Sequence, residues 1–412
     1  MGTKRTFQDM LNEYLTYDLL REEMKKRDYV LGRIDKDDGW KGGTLPVPFK
    51  AAGASSLSFG ELTQSNDIAQ DKYIRGEVSS YNELWGAMIF NHKDIVEHDG
   101  SVKEKSFLKI FPDSLEDFLD YMKQAASLNM LNGEHFAQAS ADGGADGTMI
   151  VDRPDRFILG QKVVIKDDNS AEINAYVSTI EMNTRDILFV TTRNGATPVD
   201  LSTIIAADNA KIYHPGALTS SFTSMRSSML SAANGGTSAL YGQTKTSAPY
   251  LQSINVDGTS WDAANFLTKL FDAYTDIRKF GRGNPNEVLV SYKNLGSIMK
   301  LIESSKGAFK VAPTSEKASL YGWTEIEIVG VKGRLKVVGL QEADDDVVMF
   351  VDWRALKFHS NGMFRKHKGP DGNDYYVVRG TQGYQYICDM YLFGELVLNR
   401  PSYCGIVHTI DY

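Results

Sequence analysis

The segment 395-ELVLNRPSYCGIVHTIDY-412 decides how the rest of the sequence is read. Leu396, Val397 and Leu398 run up to the break Asn399-Arg400-Pro401, and Ile406, Val407 and Ile410 follow it. Aliphatic and β-branched residues on both sides of such punctuation predict two short buried strands joined by a turn. Chain ends ordinarily fray at the surface. A chain that ends in apolar strands uses them to close a core, so the preceding sequence has to build that core.

Working outward, 384-YQYICDMYLFGELVL-398, 375-YYVVRG-380, 347-VVMFVDW-353, 334-RLKVVGL-340 and 324-TEIEIVG-330 all read as strands. Upstream, 287-EVLVSY-292 is a buried strand between two helices. The first spans Ser260 to Phe280, with Phe266, Leu267, Leu270, Phe271 and Tyr274 on one side and Gly281 past its end. The second runs through Leu295, Ile298, Met299 and Ile302. Ser227 to Thr244 carries no charge, and a long segment of this kind is expected to be functional or interfacial.

From Phe157 to Tyr213 the period becomes two, in 157-FILGQKVVIK-166, 175-AYVSTIEM-182 and 186-DILFVTT-192, with turns at Gly160, Asp167-Asp168-Asn169 and Asn194-Gly195. This predicts a small inserted β-barrel or sandwich. A flexible break is expected at 140-SADGGADG-147. Before it, Pro112-Asp113-Ser114 opens a helix carried by Leu115, Phe118, Leu119, Met122 and Ala126 and ended by Asn132-Gly133.

The amino-terminal third is different. Phe7, Met10, Leu11 and Tyr14 put a thin apolar stripe on a charged helix from Thr6 to Arg27. Then 45-LPVPF-49, 55-SSLSFGEL-62 and 73-YIRGEVSSYNELWGAMIF-90 suggest a long hairpin with little core of its own. Tyr73, Ile74, Tyr81, Leu84, Trp85, Ile89 and Phe90 exceed what a solvated hairpin exposes. Either the segment packs on its own chain, or it crosses a neighbouring subunit. In the second reading Trp85 or Tyr81 is the apolar anchor and Arg75 or Glu77 joins an intersubunit ion pair.

Composition narrows the function. At 412 residues the chain is long for one core, and 42% hydrophobic with 24% charged residues is ordinary for a folded protein. A net charge of −8 argues against a nucleic-acid-binding surface. The basic run 363-MFRKHK-368 reads as a solvated turn face. Cys388 and Cys404 form no CxxC pair and suit buried roles in a reducing compartment. No secretory leader, glycosylation sequon or membrane-spanning run is evident, and the loose Gly2…Thr6 acylation pattern is attributed to chance.

Nucleophile elbows, phosphate loops, HExxH and dinucleotide fingerprints are absent from the sequence. His92 and His98 share a stretch with Glu97 and Asp99, and Glu342, Asp344, Asp345 and Asp346 cluster, but neither has the spacing of a dedicated metal site. The expectation is no enzyme, no cofactor, no metal and no catalytic residue.

The order of these parts, and above all 347-VVMFVDWRALKFH-359 and 391-YLFGELVLNRPSYCGIVHTI-410, resembles the major capsid proteins of tailed bacteriophages with the Hong Kong 97-type fold. Strand, small residue, acidic or polar residue, strand, Pro-containing turn and final apolar strand match Gly394-Glu395 through Asn399-Arg400-Pro401 to Gly405-Ile406. The resemblance implies an α+β chain. Its parts would be an N-arm (1–43), an E-loop (44–105), a P-domain (106–156) with its spine helix at about 113–132 and an inserted β-domain (157–213). Most of the A-domain (214–345) follows, and terminal strands (346–412) complete the P- and A-domains.

It further implies hexamers and pentamers closing an icosahedral shell around double-stranded DNA, bound without sequence specificity. The chain would sit in the virion after assembly in the host cytoplasm. Partners would be other copies of itself and portal, scaffolding or decoration proteins, with no membrane. Phe7, Met10, Leu11, Tyr14, Arg75, Glu77, Tyr81 and Trp85 are the expected intersubunit contacts. The sequence departs from the family in having no long charged amino-terminal scaffold-like region, which implies a separate scaffold or none. An encapsulin-like compartment shell, a tail or baseplate protein and a soluble hydrolase are the competing readings.

Overall fold

The fold is seen in a computed structural model, which describes residues 28–41, 43–52, 72–79, 82–91, 104–169, 172–208, 210–247, 249–281, 283–304, 325–330, 333–362, 364–373, 375–380 and 383–410. The helix expected from Thr6 to Arg27 (with Phe7, Met10, Leu11 and Tyr14), the stretch 55–62, Tyr81, His92 and His98 lie outside the described residues.

In chain order the elements are α1 (Tyr29–Arg33), β1 (Asp35–Asp37), β2 (Leu45–Ala52), β3 (Lys72–Val78), β4 (Asn82–Asn91) and α2 (Glu104–Asn132). Then come β5 (His135–Gln138), β6 (Thr148–Ile150), β7 (Lys162–Lys166), β8 (Ile173–Glu181), β9 (Asp186–Val190) and β10 (Lys211–Tyr213). Next are α3 (Ala217–Ser220), α4 (Met225–Met229), β11 (Ala239–Leu240), β12 (Gln243–Thr244), β13 (Ile254–Asp257), α5 (Phe266–Phe280), β14 (Glu287–Ser291) and α6 (Tyr292–Ser304). The last are β15 (Glu325–Gly330), β16 (Gly333–Leu340), β17 (Val348–Val351), β18 (Leu356–Ser360), β19 (Arg365–Lys366), β20 (Tyr376–Gly380), β21 (Gly383–Leu398) and β22 (Gly405–His408). This is a mixed α+β chain in two units, one of Met1–Ser127 with Met225–Tyr412, the other Leu128–Ser224.

In the first unit the chain end does what its sequence predicts, with one difference. The strands on either side of Asn399-Arg400-Pro401 belong to separate sheets. β22 lies inside the order β13-β22-β17-β14-β16-β15, parallel to β13 and antiparallel to β17. A short 3-10 turn over Pro401–Tyr403 makes the crossing, because proline there cannot donate to continue the ladder. Val407 and Ile410 enter the core with Val288, Val290, Val337 and Phe350.

Helix α5 covers that sheet with Phe266, Leu267, Leu270, Ala273, Tyr274 and Ile277, one stripe at helical spacing. The first turn expected from Ser260 is instead a capped turn, in which Asp262 accepts from the Ala264 and Asn265 amides at 2.8 and 2.7 Å. Gly405 lets the helix close on the strand, since a Cβ there would lie 2.4 Å from Ile277 Cδ1.

The other large sheet is organised by β21, 16 residues long. β4 pairs along one edge from Asn82 to Asn91, while β18, β19 and β20 follow one another along the other edge, and β1 adds parallel to β18. The hairpin expected across 73–90 therefore divides. β2 pairs with β3, but β4 pairs with β21. One face of this sheet is internal. Met88, Cys388, Met390 and Leu392 are buried, and Gly86 allows close approach of α2, where a Cβ would stand 2.6 Å from Met122 Sδ.

The β2–β3 ribbon buries more than its sequence suggests. Val47, Phe49 and Val78 cluster with Trp40, Leu251 and Val397. Tyr241 stacks on Phe49 at 5.8 Å, donates to Leu396 O at 3.0 Å and accepts from the Leu398 amide at 2.9 Å. The charge-free segment, expected to be functional or interfacial, packs part of its length within the chain, with Met229, Leu230 and Leu240 buried. Apolar residues too widely spaced for any periodicity still converge when turns fold them together.

Helix α2 begins at Glu104 and continues through Pro112, where the sequence predicts a start near 113. An interior proline removes one helical hydrogen bond, at a cost of roughly 3 kcal/mol. The helix ends as expected at Gly133, whose φ is +116°. The second unit is a six-stranded sheet in the order β5-β10-β7-β8-β9-β6, and an antiparallel bridge between Ala139 and Val151 links its two ends. Phe136, Phe157, Phe189, Ile165, Val177, Ile187 and Ile212 fill its interior. The unit is larger than the 157–213 domain expected, because β5 and β6 precede that range.

Glycine substitutions separate these packing claims. Gly405→Ala is expected to lower stability by about 1–3 kcal/mol through overpacking against Ile277. Gly296→Ala, in α6 with nothing within 4 Å, is expected to raise it by roughly 0.5–1 kcal/mol. Denaturant midpoints of the two variants check both signs.

Candidate functional site

The outward face of the β21 sheet is the candidate. In an antiparallel pair, residues directly opposite share a face, so Trp85 with Tyr391, Glu83 with Phe393, Ala87 with Asp389 and Ile89 with Ile387 all point away from α2. Trp85 lies 5.1 Å from the Tyr391 ring, 5.3 Å from Phe393 and 6.0 Å from His367, and its Nε1 donates to Glu83 at 2.9 Å. Trp85 and Ile89 are each 48% exposed. At the end of the sheet Val377 opposes Tyr386 and Val378 opposes Gln385, so the β20–β21 ribbon carries apolar groups on both faces. Val377, Val378 and Tyr384 are exposed. A contiguous apolar patch rimmed by polar groups is the usual signature of an interaction surface.

Of the other residues expected at such a surface, Arg75 and Glu77 lie on β3 and pair with each other at 3.1 Å, both well exposed. Around them the Gln243 side chain donates to Arg75 O and the Glu77 amide donates to Tyr241 O, each at 2.9 Å. The ribbon edge is thereby fixed to its own chain while its charged tips remain in solvent.

Buried charge is concentrated elsewhere in the first unit. The acidic cluster after β16 receives Arg226, whose guanidinium contacts Asp344 at 3.0 Å and Asp346 at 2.5 Å. A side-chain cation serves the carboxylates that a metal ion would otherwise need, and among the described residues no three His, Cys, Asp or Glu are grouped to hold a metal. Glu287, at the head of an otherwise apolar strand, accepts from Tyr29 Oη at 2.8 Å and from Trp353 Nε1 at 2.5 Å and faces Arg33 at 3.1 Å. Asn82 donates to the buried Glu395. Lys245 ends the charge-free segment by donating to Ser227 O and Leu230 O, and burial brings its ammonium down to about 8.

Sequence reading misses these partners. An Arg or Glu beside apolar neighbours is a visible signal, but its partner lies far along the chain, 118 residues away for Arg226 and Asp344 and 258 for Tyr29 and Glu287. A cleft of about 450 Å³ beside α5 is lined by Val256, Asp257, Trp261, Lys269, Asp272 and Asp276. Cys388 and Cys404 are both buried, and neither is in a disulfide. No helix among the described residues is long and apolar enough to cross a membrane.

No protein-family model matches the sequence, and no curated protein matches it either. Among solved structures, the capsid asymmetric unit of cyanophage A-1(L) matches with 13% identity over 92% of this chain and 91% of that one, at a TM-score of 0.46. The capsid of the native GTA particle matches with 9% identity over 93% and 90%, at 0.47. The capsid of Myoviridae phage XM1 matches with 8% identity over 99% of each chain, at 0.39. The chain is thus similar, at low identity, to capsid structures, the class its sequence resembles.

One titration in the second unit is open to direct test. His214 stacks on Phe136 at 4.4 Å, and burial lowers its imidazolium from 6.5 to about 4. The neutral form is favoured by folding, so the contribution is intact above pH 6.5 and lost as pH falls toward 4. Hydrogen exchange of strand amides in 128–224 of the intact chain is expected to accelerate across that window, and His214→Phe to flatten the profile.

Proposed function

We propose that this chain is a major capsid protein whose hexamers and pentamers close an icosahedral shell around double-stranded DNA. The observation that carries the proposal is the outward face of the β21 sheet. Trp85, Ile89 and Val378 put exposed apolar groups on that face, which one copy leaves in water. Complete burial of such a side chain is worth about 1.5–3 kcal/mol, and the half still exposed retains part of that for association.

In this reading Trp85 is an intersubunit anchor, and the Arg75–Glu77 pair on the β2–β3 ribbon, as an E-loop, meets charges of a neighbour. Tyr81 and the amino-terminal stripe of Phe7, Met10, Leu11 and Tyr14 would take part in the same contacts. The chain acts through complementary surfaces and not through turnover. It would be assembled in the host cytoplasm with portal, scaffolding or decoration proteins, and would reside in the virion.

Purified full-length protein, sedimented and imaged by electron microscopy across salt and concentration, is expected to form capsomers or closed shells. A monodisperse monomer under all conditions, including with source-virus lysate, contradicts the proposal. Ile89→Asp adds a charge at an exposed position. It is expected to shift unfolding by less than about 0.5 kcal/mol while sharply reducing assembled particles. Normal particles from that variant would remove this face from the contact.

A further inference from the structure

Among the described residues the β2–β3 ribbon is a two-stranded sheet of its own, with no ladder to the others. The cluster of Val47, Phe49, Val78 and Val397 buries its root, but apolar packing is non-directional and leaves its angle open. Between β11 and β12 the chain turns through Tyr241-Gly242, with φ of +49° and +77°. A two-residue hairpin loop with both φ positive favours Asn-Gly, and a tyrosine in the first position is strained. Its contacts say what it does there. The ring stacks on Phe49 of β2 at 5.8 Å, and the carbonyl accepts from the Glu77 amide of β3 at 2.9 Å. Gly76 lets the two come together, since a Cβ there would lie 3.0 Å from that carbonyl oxygen. Beyond Gly394, where the pairing of β4 ends, the Tyr241 hydroxyl accepts from the Leu398 amide at 2.9 Å and donates to Leu396 O at 3.0 Å. Ser228 of α4 bonds to the same oxygen, so the hydroxyl uses its donor and both of its acceptor positions.

We propose that Tyr241 sets the angle of the β2–β3 ribbon against β21, as a positioning residue that presents Arg75 and Glu77 to the adjacent copy. Those two residues flank Gly76, which lies over the Tyr241 carbonyl. On the far side of the turn, the Gln243 side chain donates to Arg75 O at 2.9 Å. One strained turn therefore grips the ribbon with its backbone and the end of β21 with its hydroxyl, through directional hydrogen bonds. A ribbon released from Tyr241 keeps its apolar root and swings about it. The presentation of the charged pair rests on the capsid reading, whereas the setting of the angle holds whatever the chain assembles into.

Full-length subunits with spin labels at Arg75→Cys and Ala87→Cys report the angle as a distance distribution, because Cys388 and Cys404 are buried and escape labelling. With Tyr241 in place a single narrow distance is expected. Tyr241→Phe keeps the ring and loses the hydroxyl bridge, while Tyr241→Asn suits the turn better and loses both. Each is expected to broaden the distribution. In Tyr241→Phe the Leu398 amide is also expected to exchange about tenfold faster, with β14 still protected. A broad distribution with Tyr241 present, an unchanged one in both variants, or an equal loss of protection in β14 would overturn the positioning role. Unlabelled Tyr241→Phe is expected to lose assembled particles, and particles of normal number and size would overturn the presentation of Arg75 and Glu77. Failure of the unaltered chain to assemble removes the capsid reading, and presentation with it, while the distance measurement still decides the angle.

Discussion

Register along β21 is the constraint on which the first unit depends. Strand side chains alternate with period two, so a slip of one residue would exchange every inward and outward group. In the observed register Cys388, Met390 and Leu392 are buried, and Ile387, Tyr391 and Phe393 face outward. That register is held from both edges, by β4 along one side and by β18, β19 and β20 along the other. The same strand ends at Leu398, where Tyr241 bridges Leu396 and Leu398 before the chain crosses to the second sheet. One strand therefore sets the internal face, the external face and the position from which β22 enters its core.

Its two faces have unequal energetics. The inward face meets α2 so closely that only glycine fits at position 86. The outward face keeps aromatic rings together without covering them. Trp85, Tyr391 and Phe393 lie within 5.3 Å of one another, which offsets part of the exposure but leaves apolar surface in water. Contacts of this kind are individually weak. In the proposed shell they are repeated between many identical copies, and repetition supplies the stability that no single contact has.

Much of the architecture was legible in the residues. The apolar runs around Asn399-Arg400-Pro401 are strands, the stripe from Phe266 to Ile277 is a helix, and the alternation in 175-AYVSTIEM-182 is a strand of a small β-unit. These are local signals, fixed by backbone periodicity. The excess of bulky residues in 73–90 was visible too, but not which of them would face outward. Which strand would pair with β4 was not legible either, since periodicity names a face and never a partner. The same limit hid Arg226 with Asp344 and Asp346, and Glu287 with Tyr29 and Trp353, whose attraction depends on distance in space. The start of α2 was misplaced because Pro112 reads as a strong local stop signal, although the helix runs through it.

The central claim is that the outward face of the β21 sheet is completed by other copies of this chain. Oxidative footprinting of dissociated subunits and of assembled particles reads this directly at Trp85. Its side chain is predicted to be modified readily in the subunit and protected on assembly, while the buried Phe350 stays unmodified in each state. Equal modification of Trp85 in subunit and particle would contradict the account.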